Sequence, residues 1–449
     1  MEQEVKLKHP KGLYLISFVT LWERFSFYGL SAFLLYYMTN DNSPSSTNNS
    51  GFIGGLGIDA GIASIIITSF MGLCYLLSLP GGQIADRYLG KRRSILIGGF
   101  LIMIGLCMLA LDLGQVPFYF GLSLICIGNG FFKPSASSMI GDLYEQGDKR
   151  KDAAYTIFYM VFNGGAFAAP IICGYLNNWG YKYGFMAIAA GMVLGYIIYI
   201  IAAPKYLGDV GKKAIHKQNI ENKVIKGPLT KEEKNRITVI FILLFFVTFF
   251  WMGFSQASSS FSLYTRDFVD RTIFNWEIPA EWFQSVNPLL ILILGAPFSA
   301  LWIYLAKKNK NPSIPVKMGL GMIILGLGFL FMVIAVLQTG DSKTALTVKA
   351  SLGFIVMTYL FHTIGELCVS PIGLSMISKL SPVRMGTFFM GVWFLSIFLA
   401  YFIGGFMVSF INSFGALTIF LGISLFVTFL GIIILIISKK LVKLMHGIS

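Results

Sequence analysis

The chain has 449 residues, of which 55% are hydrophobic and only 12% are charged. This composition excludes a soluble globular protein and predicts a polytopic membrane protein. The net charge of +14 would suit a nucleic-acid binder, but the basic residues concentrate in alternate connections, which is the pattern that orients membrane proteins. We therefore expect no nucleic-acid partner. All five cysteines lie inside apolar segments, so no disulfide framework, metal site or other cofactor is expected.

About twelve apolar segments are long enough to cross a bilayer as helices, which takes about 20 residues each. Lys and Arg cluster at both termini and in every second connection, so both termini are predicted to be cytoplasmic. The segments are residues 12–38, 57–80, 94–113, 116–140, 153–177, 183–203, 237–264, 283–306, 314–338, 347–378, 384–411 and 416–438.

The longest polar stretch, residues 205–236, is strongly basic and follows the sixth segment. It divides the chain into a predicted N-terminal six-helix bundle (1–204), a cytoplasmic linker (205–236) and a C-terminal six-helix bundle (237–449). The linker charges are expected to be solvated or close to anionic lipid, with a short surface helix around residues 231–234. Two halves with a binding site between them are a common plan among transporters.

Glu23 and Arg24 are adjacent near the middle of the first apolar segment. A charged side chain at that depth costs about 2.5 to 3.5 kcal/mol on insertion scales, so both must face protein or a watery cavity rather than lipid. The stretch from Thr20 to Tyr28 is therefore a candidate functional site. The alternative is an internal ion pair that only fixes helix packing.

The connection after the second segment reads Gly-Gly-Gln-Ile-Ala-Asp-Arg-Tyr-Leu-Gly-Lys-Arg-Arg over residues 81–93. It resembles the cytoplasmic loop motif of the major facilitator superfamily. In that superfamily an acid and basic residues tie helices together on the inner side in one conformation. The resemblance therefore assigns Asp86 and Arg87 to conformational control rather than to substrate contact.

Further motifs follow in order along the chain, and with the first helix they resemble the proton-dependent oligopeptide transporter family of that superfamily. The resemblance implies an all-α major facilitator fold of two six-helix bundles. Many bacterial members have two additional helices between the bundles, but two spans need about 40 apolar residues, so the linker predicts twelve helices here. The motifs are residues 128–135, 158–165, 277–288, 365–375 and 391–394.

The resemblance also implies which side chains bind a peptide. A short peptide is a zwitterion with variable side chains, so a promiscuous site should bind its charged ends and its backbone amides. Asparagines in such a site have a simpler alternative role, which is to cross-link helices. The implied ligands are Arg24, Tyr28 and Lys133 for the carboxylate, Asn163, Asn287 and Glu366 for the amine, and Trp393 for side-chain pockets.

The sequence departs from the family pattern at several polar positions. The family's first-helix signature, Glu-x-x-Glu-Arg-Phe-x-Tyr-Tyr, has Thr20 in place of its first acid. An arginine and a seventh-helix acid that pair in the family are here Ser31 and Ser255. Losing both partners is physically coherent, because losing one would leave a buried charge unpaired. A second-helix tyrosine that often contacts peptide corresponds to Phe70.

These departures limit how protons can be coupled to transport. In a low-dielectric site, a carboxylate that loses its cation to the substrate favours its protonated form. With Thr20 and Ser255 neutral, Glu23 and Glu366 are the obvious carriers. His362 lies one turn before Glu366 on about the same helix face. It is either an auxiliary carrier or a buried, packed histidine.

The sequence as a whole predicts a plasma-membrane transporter of di- and tripeptides that works by alternating access and uses protons. The alternatives are an uncoupled carrier of peptides, or a carrier of another small anionic or zwitterionic solute. A non-transporting nutrient sensor is disfavoured because the tails are short and no signalling domain is evident. An enzyme is not expected, because no metal spacing and no nucleophile beside a base is present.

Overall fold

The computed structural model describes residues 8–40, 55–111, 113–144, 150–212, 229–340, 348–382 and 385–447, without the side chains of 151–153, 374, 375, 378, 386 and 387. Within these ranges the chain forms fifteen α-helices and four two-residue strands. Eleven helical segments there are long and apolar enough to cross a membrane. Helix α1, which carries Glu23 and Arg24, adds a further 29-residue helix. The predicted all-α polytopic membrane protein is confirmed.

The helices are α1 (Lys11–Thr39), α2 (Ala60–Leu76), α3 (Ser78–Ile84), α4 (Lys91–Leu111), α5 (Gln115–Asp142), α6 (Arg150–Asn177), α7 (Tyr181–Leu207), α8 (Lys231–Phe254), α9 (Ser260–Phe268), α10 (Val286–Lys307), α11 (Ile314–Thr339), α12 (Leu352–Leu380), α13 (Gly386–Gly405), α14 (Met407–Phe414) and α15 (Ala416–Leu444). The strands are β1 (Val269–Asp270), β2 (Thr272–Ile273), β3 (Trp276–Glu277) and β4 (Ala350–Ser351).

Three of the predicted segments are each divided into two helices, namely α2 with α3, α8 with α9, and α13 with α14. In the seventh segment a 3₁₀ turn, Ser255–Ser258, separates α8 from α9. The hydroxyl of Ser255 donates to the carbonyl of Met252, and that of Ser258 donates to the carbonyl of Ser255. Serine side chains that bond the local backbone compete with regular helix, so this break has a cause in the sequence.

Helix α8 begins with a capping box. The backbone N–H of Glu233 donates to the hydroxyl of Thr230 at 3.2 Å, and the carboxylate of Glu233 accepts from the N–H of Thr230 at 2.9 Å. Both bonds satisfy donors that a helix start leaves open. The prediction of a short surface helix around residues 231–234 is therefore wrong, because these residues form the first turn of α8. Residues 213–228 of the predicted linker lie outside the described part of the chain.

The polar connection after α9 contains the strands. Strands β2 and β3 form an antiparallel hairpin, and β1 pairs in parallel with β4. The hairpin turn consists of Phe274 and Asn275, whose φ angles are 49° and 60°. Two residues with positive φ are what a tight hairpin turn requires.

The described residues fall into two compact units. Unit 1 consists of residues 8–30, 77–173 and 182–212. In unit 1, α4 and α5 pack closely at Gly98 and Gly128, since a Cβ atom on either glycine would lie 2.6 Å from the carbonyl oxygen of the other. Small residues that allow such close approach are typical of membrane helix interfaces.

Unit 2 consists of residues 31–76, 174–181 and 229–447. In this unit α11 packs against α12 and α15, and α13 packs against α2 and α8. The boundaries between the units fall inside α1 and α6 and beside α2 and α7. The six-plus-six division of the sequence stays a prediction.

Candidate functional site

Helix α1 places an adjacent acid and base in the interior of unit 1. The guanidinium Nε of Arg24 lies 3.1 Å from Oε2 of Glu23, and the two residues are 8% and 1% exposed. The guanidinium carbon of Arg24 lies 4.4 Å from the ring centroid of Phe162 on α6. The cation thus has a carboxylate and an aromatic face as neighbours, and both stabilise positive charge away from water.

Lys133 on α5 lies close to the same part of α1. Its ammonium nitrogen is 3.7 Å from the ring centroid of Phe27, and the guanidinium carbon of Arg24 is 6.0 Å from that centroid. The structure therefore brings the two predicted carboxylate-binding cations to one aromatic ring. We call Glu23, Arg24, Phe27, Lys133 and Phe162 the α1 cluster.

Tyr28 and Asn163 border the α1 cluster. The ring of Tyr28 meets that of Phe162 edge-on at 6.4 Å between centroids. Asn163 is buried, and its amide donates to the carbonyl of Tyr159 at 2.9 Å, one turn earlier in α6. That bond stays within one helix, so it does not provide the helix cross-link that was the alternative role of Asn163.

Unit 2 brings together two other predicted residues. The amide of Asn287 on α10 donates to Oε2 of Glu366 on α12 at 2.8 Å and to the hydroxyl of Thr363 at 3.0 Å. Asn287 therefore joins two helices and holds a carboxylate at the same time. Thr363, which the sequence analysis did not name, precedes Glu366 by one helical turn, and that spacing places both on one face.

Trp393 on α13 is buried against α12. It is 2% exposed, and its ring contacts the backbone at Gly373, where a Cβ atom would collide with it. Glycine at this position makes room for the indole. In the present conformation the side chain packs between helices.

A neutral network occupies the position of the missing family acid. Besides the Ser255 bond, the amide of Gln256 donates to the carbonyls of Met252 and Gly404, both at 3.1 Å. Its oxygen accepts from the hydroxyl of Ser260 at 2.8 Å. We call Ser255, Gln256, Ser260 and their backbone acceptors the Ser255 network. It ties α8 to α13 without using any charge.

His362 is buried among aromatic rings. The ring centroids of Phe254, Phe261 and Phe329 lie 6.3, 5.2 and 5.0 Å from that of the imidazole. Neither imidazole nitrogen has a hydrogen-bond partner within the described ranges. Of the two roles that the sequence left open, this environment is that of a packed side chain.

Asp86 and Arg87 lie on a π-helical turn, Ala85–Leu89, after α3. Both are exposed, and neither side chain forms a hydrogen bond or ion pair with another described residue. The ion pair of this region is instead Lys91 with Asp142, whose atoms lie 2.6 Å apart and join the start of α4 to the end of α5. Lys91 belongs to the quoted motif over residues 81–93, but its pairing with Asp142 was not predicted.

Comparison with known proteins identifies the family. The sequence matches the profile of the POT family over residues 92–226 and 209–426. The chain is a member of the POT family. It is 33% identical to the peptide transporter YePEPT of Yersinia enterocolitica, over 86% of this chain and 85% of that one. The resemblance noted in the sequence is therefore confirmed.

Two solved POT-family structures are similar to this member over nearly its whole length. A peptide transporter POT in complex with alafosfalin has a TM-score of 0.90 at 31% identity, covering 99% of this chain and 98% of that one. A POT family transporter in complex with 5-aminolevulinic acid has a TM-score of 0.87 at 29% identity, covering 98% of both. The major facilitator fold that the sequence predicted is confirmed by these likenesses.

Proposed function

We propose that this POT-family member transports di- and tripeptides across the plasma membrane by alternating access, in symport with protons. The distribution of Lys and Arg supports cytoplasmic termini. The relative in Yersinia enterocolitica is named a peptide transporter. The observation that carries the proposal for this chain is the α1 cluster, in which two cations that suit a peptide carboxylate lie at one ring.

In this proposal Arg24, Lys133 and Tyr28 bind the peptide carboxylate. A guanidinium and an ammonium form strong, charge-assisted hydrogen bonds with carboxylates. The rings of Phe27 and Phe162 hold the cations without neutralising them. A carboxylate that enters the cluster therefore meets two cations, of which Arg24 also lies beside Glu23.

Glu366, with Asn287 and Asn163, is proposed to bind the peptide amine, and Trp393 to border the side-chain pockets. An ammonium needs an anionic acceptor, and Glu366 supplies one that Asn287 orients with a 2.8 Å bond. No described cation lies within 4.0 Å of Glu366. The carboxylate is therefore available to an incoming positive charge, which suits amine recognition.

Proton coupling is proposed to use Glu23 and Glu366. When a substrate carboxylate draws Arg24 away, Glu23 loses the cation that lies 3.1 Å from it, and proton uptake offsets that loss. Asp86 and Arg87 are proposed to act in the conformational change. Both side chains are exposed in the present conformation, so they are able to form contacts in another conformation.

Uptake of dialanine into proteoliposomes tests this function. An inward proton gradient is expected to accelerate uptake, and free amino acids are expected to compete poorly. Equal uptake with and without the gradient would contradict symport and leave an uncoupled carrier. No dialanine uptake in either condition would contradict peptide transport.

A second candidate is transport of a smaller zwitterion that carries an amine and a carboxylate. The observation that favours it is the similar POT-family structure in complex with 5-aminolevulinic acid. That compound has the two charged ends of a peptide on a shorter skeleton. Competition between 5-aminolevulinic acid and dialanine in the same vesicles separates the two functions.

A further inference from the structure

A group of polar side chains in unit 2 has no part in the proposed peptide site. It lies where the end of α1, the end of α6 and the start of α7 approach α9 and the turn before α10. We call Tyr36, Asn177, Tyr181, Arg266 and Glu281 the end cluster. Glu281 lies on a 3₁₀ turn, Ala280–Ser285, and is only 7% exposed.

The carboxyl group of Glu281 pairs with an amide. Its Oε1 accepts a hydrogen bond from Nδ2 of Asn177 at 3.2 Å. The other end of that amide, Oδ1 of Asn177, is buried and has no donor within the described residues. Helix α6 comes close here because residue 174 is glycine, and a Cβ atom on Gly174 would lie 3.0 Å from Cβ of Glu281.

The nearest arginines are engaged by other carboxylates. Arg266 donates to Asp267 at 2.8 and 3.2 Å. Arg271 donates to Glu277 at 2.6 Å and also to a backbone carbonyl. Within the described ranges no Lys, Arg or His nitrogen lies within 4.0 Å of the Glu281 carboxyl. Glu281 is thus a buried acid whose near neighbour is a neutral amide.

A proton on Glu281 would remove the unpaired charge of its carboxylate and would supply the missing donor for Oδ1 of Asn177. A carboxylate buried without a cation is costly, and so is a buried acceptor without a donor. A protonated Glu281 is neutral and provides an O–H group for Oδ1 of Asn177. We propose that Glu281 and Asn177 form a proton-binding site, in which the acid and the amide exchange two hydrogen bonds.

The other groups that face Glu281 do not compete for this proton. Tyr36 on α1 donates its hydroxyl to the carbonyl of Ser262 at 2.9 Å, and the hydroxyl of Tyr181 on α7 accepts from Asn40 at 3.1 Å. Tyrosine and arginine keep their protonation states near neutral pH. Glu281 is therefore the member of the end cluster that changes charge.

The site links proton binding to a conformational change, and this step depends on the proposed alternating access. If the termini are cytoplasmic, the end cluster lies at the outer side. Opening there parts α6 from the turn before α10, breaks the bond between Asn177 and Glu281, and exposes the carboxyl to water. Protons from outside then favour closure. This site is separate from Glu23 and Glu366, and it acts on the gate rather than on the cargo.

Infrared spectroscopy of the purified full chain tests the site without requiring transport. At neutral pH the wild type should show the carbonyl band of a protonated carboxyl group, with its shift in heavy water. Glu281→Gln should lose a band that Glu277→Gln, which changes an exposed acid four residues earlier, retains. An unchanged spectrum for Glu281→Gln would overturn the proposal, even if dialanine uptake is normal.

Spin-label distances test the link to closure. Labels at positions 62 and 274, whose native side chains are exposed, report opening of this end when the native cysteines are replaced. The closed population should fall in the wild type and in Glu277→Gln as pH rises, but should stay constant in Glu281→Gln, because glutamine mimics the neutral acid. A wild-type response in Glu281→Gln would overturn the link.

A second variant covers the case in which Glu281→Gln fails to fold. Asn177→Asp places two acids at one site, and like charges at short range cannot both ionise readily. The closed population should then decrease more steeply between acidic and neutral pH than in the wild type. A pH response identical to that of the wild type would count against the proposal. Absence of dialanine uptake, with the infrared result as expected, would contradict the proposed function only.

Discussion

The α1 cluster and the Ser255 network solve the problem of buried polarity in opposite ways. The α1 cluster keeps its charges, with Arg24 beside Glu23 and both cations against aromatic rings. The Ser255 network has no charge, and hydroxyls and an amide bond to backbone carbonyls instead. The difference teaches that Glu23 and Arg24 are kept together, whereas the family's charges at positions 31 and 255 are absent together, because one unpaired partner of either pair would be costlier than keeping or losing both.

Arg24→Leu should have the largest effect of these substitutions, because it removes a charge from the α1 cluster. It leaves Glu23 buried without its cation, so we expect stability to fall by about 3 to 5 kcal/mol and dialanine uptake to be lost. Thermal unfolding of the purified protein measures the first effect and proteoliposome uptake the second.

The double variant Glu23→Gln with Arg24→Leu separates stability from function. Since both charges are then absent, it should recover most of the stability while remaining unable to transport. If the double variant unfolds as easily as Arg24→Leu alone, the pairing argument is wrong.

Ser255→Glu tests the Ser255 network by introducing the family's acid without its arginine partner. The new carboxylate has no cation while residue 31 is serine, so we expect a loss of about 3 kcal/mol in unfolding free energy. Ser31→Arg together with Ser255→Glu should recover at least half of that loss. A double-mutant cycle on thermal unfolding measures the coupling, and additive losses would contradict it.

Asn287→Ala tests a third arrangement, a carboxylate held by an amide. Removing a hydrogen bond to a charged group should cost about 1.5 to 3 kcal/mol, and it should raise the KM for dialanine because Glu366 loses its orientation. The matched control is Asn163→Ala, whose amide donates to the preceding turn of its own helix. A larger stability loss for Asn163→Ala than for Asn287→Ala would reverse this interpretation.

The sequence predicted the parts of the fold that depend on local hydropathy. The segment lengths gave the helices, and membrane-depth charges identified Arg24, Lys133 and Glu366. The break at residues 255–258 was not predicted, although Ser255, Gln256 and Ser258 are polar, because serines inside a membrane helix can bond the preceding turn without ending the helix.

Contacts between distant residues were beyond the sequence. Lys91 and Asp142 are 51 residues apart, and only the packing of α4 on α5 makes them partners. The rings of Phe27 and Phe162 near the cations were likewise unpredicted, since aromatic residues are abundant throughout the chain. Asn163 was predicted as a candidate ligand. Its hydrogen bond to the carbonyl of Tyr159 in its own helix depends on the side-chain rotamer, which the sequence pattern does not determine.

Of these substitutions, His362→Leu should have the smallest effect. The imidazole lies among three phenylalanines and makes no hydrogen bond within the described ranges, so leucine of similar volume should change stability by less than about 1.5 kcal/mol. Acceleration of dialanine uptake by a proton gradient should remain, because a packed histidine carries no proton in the cycle. Loss of that acceleration, with stability unchanged, would indicate that His362 carries a proton in the transport cycle.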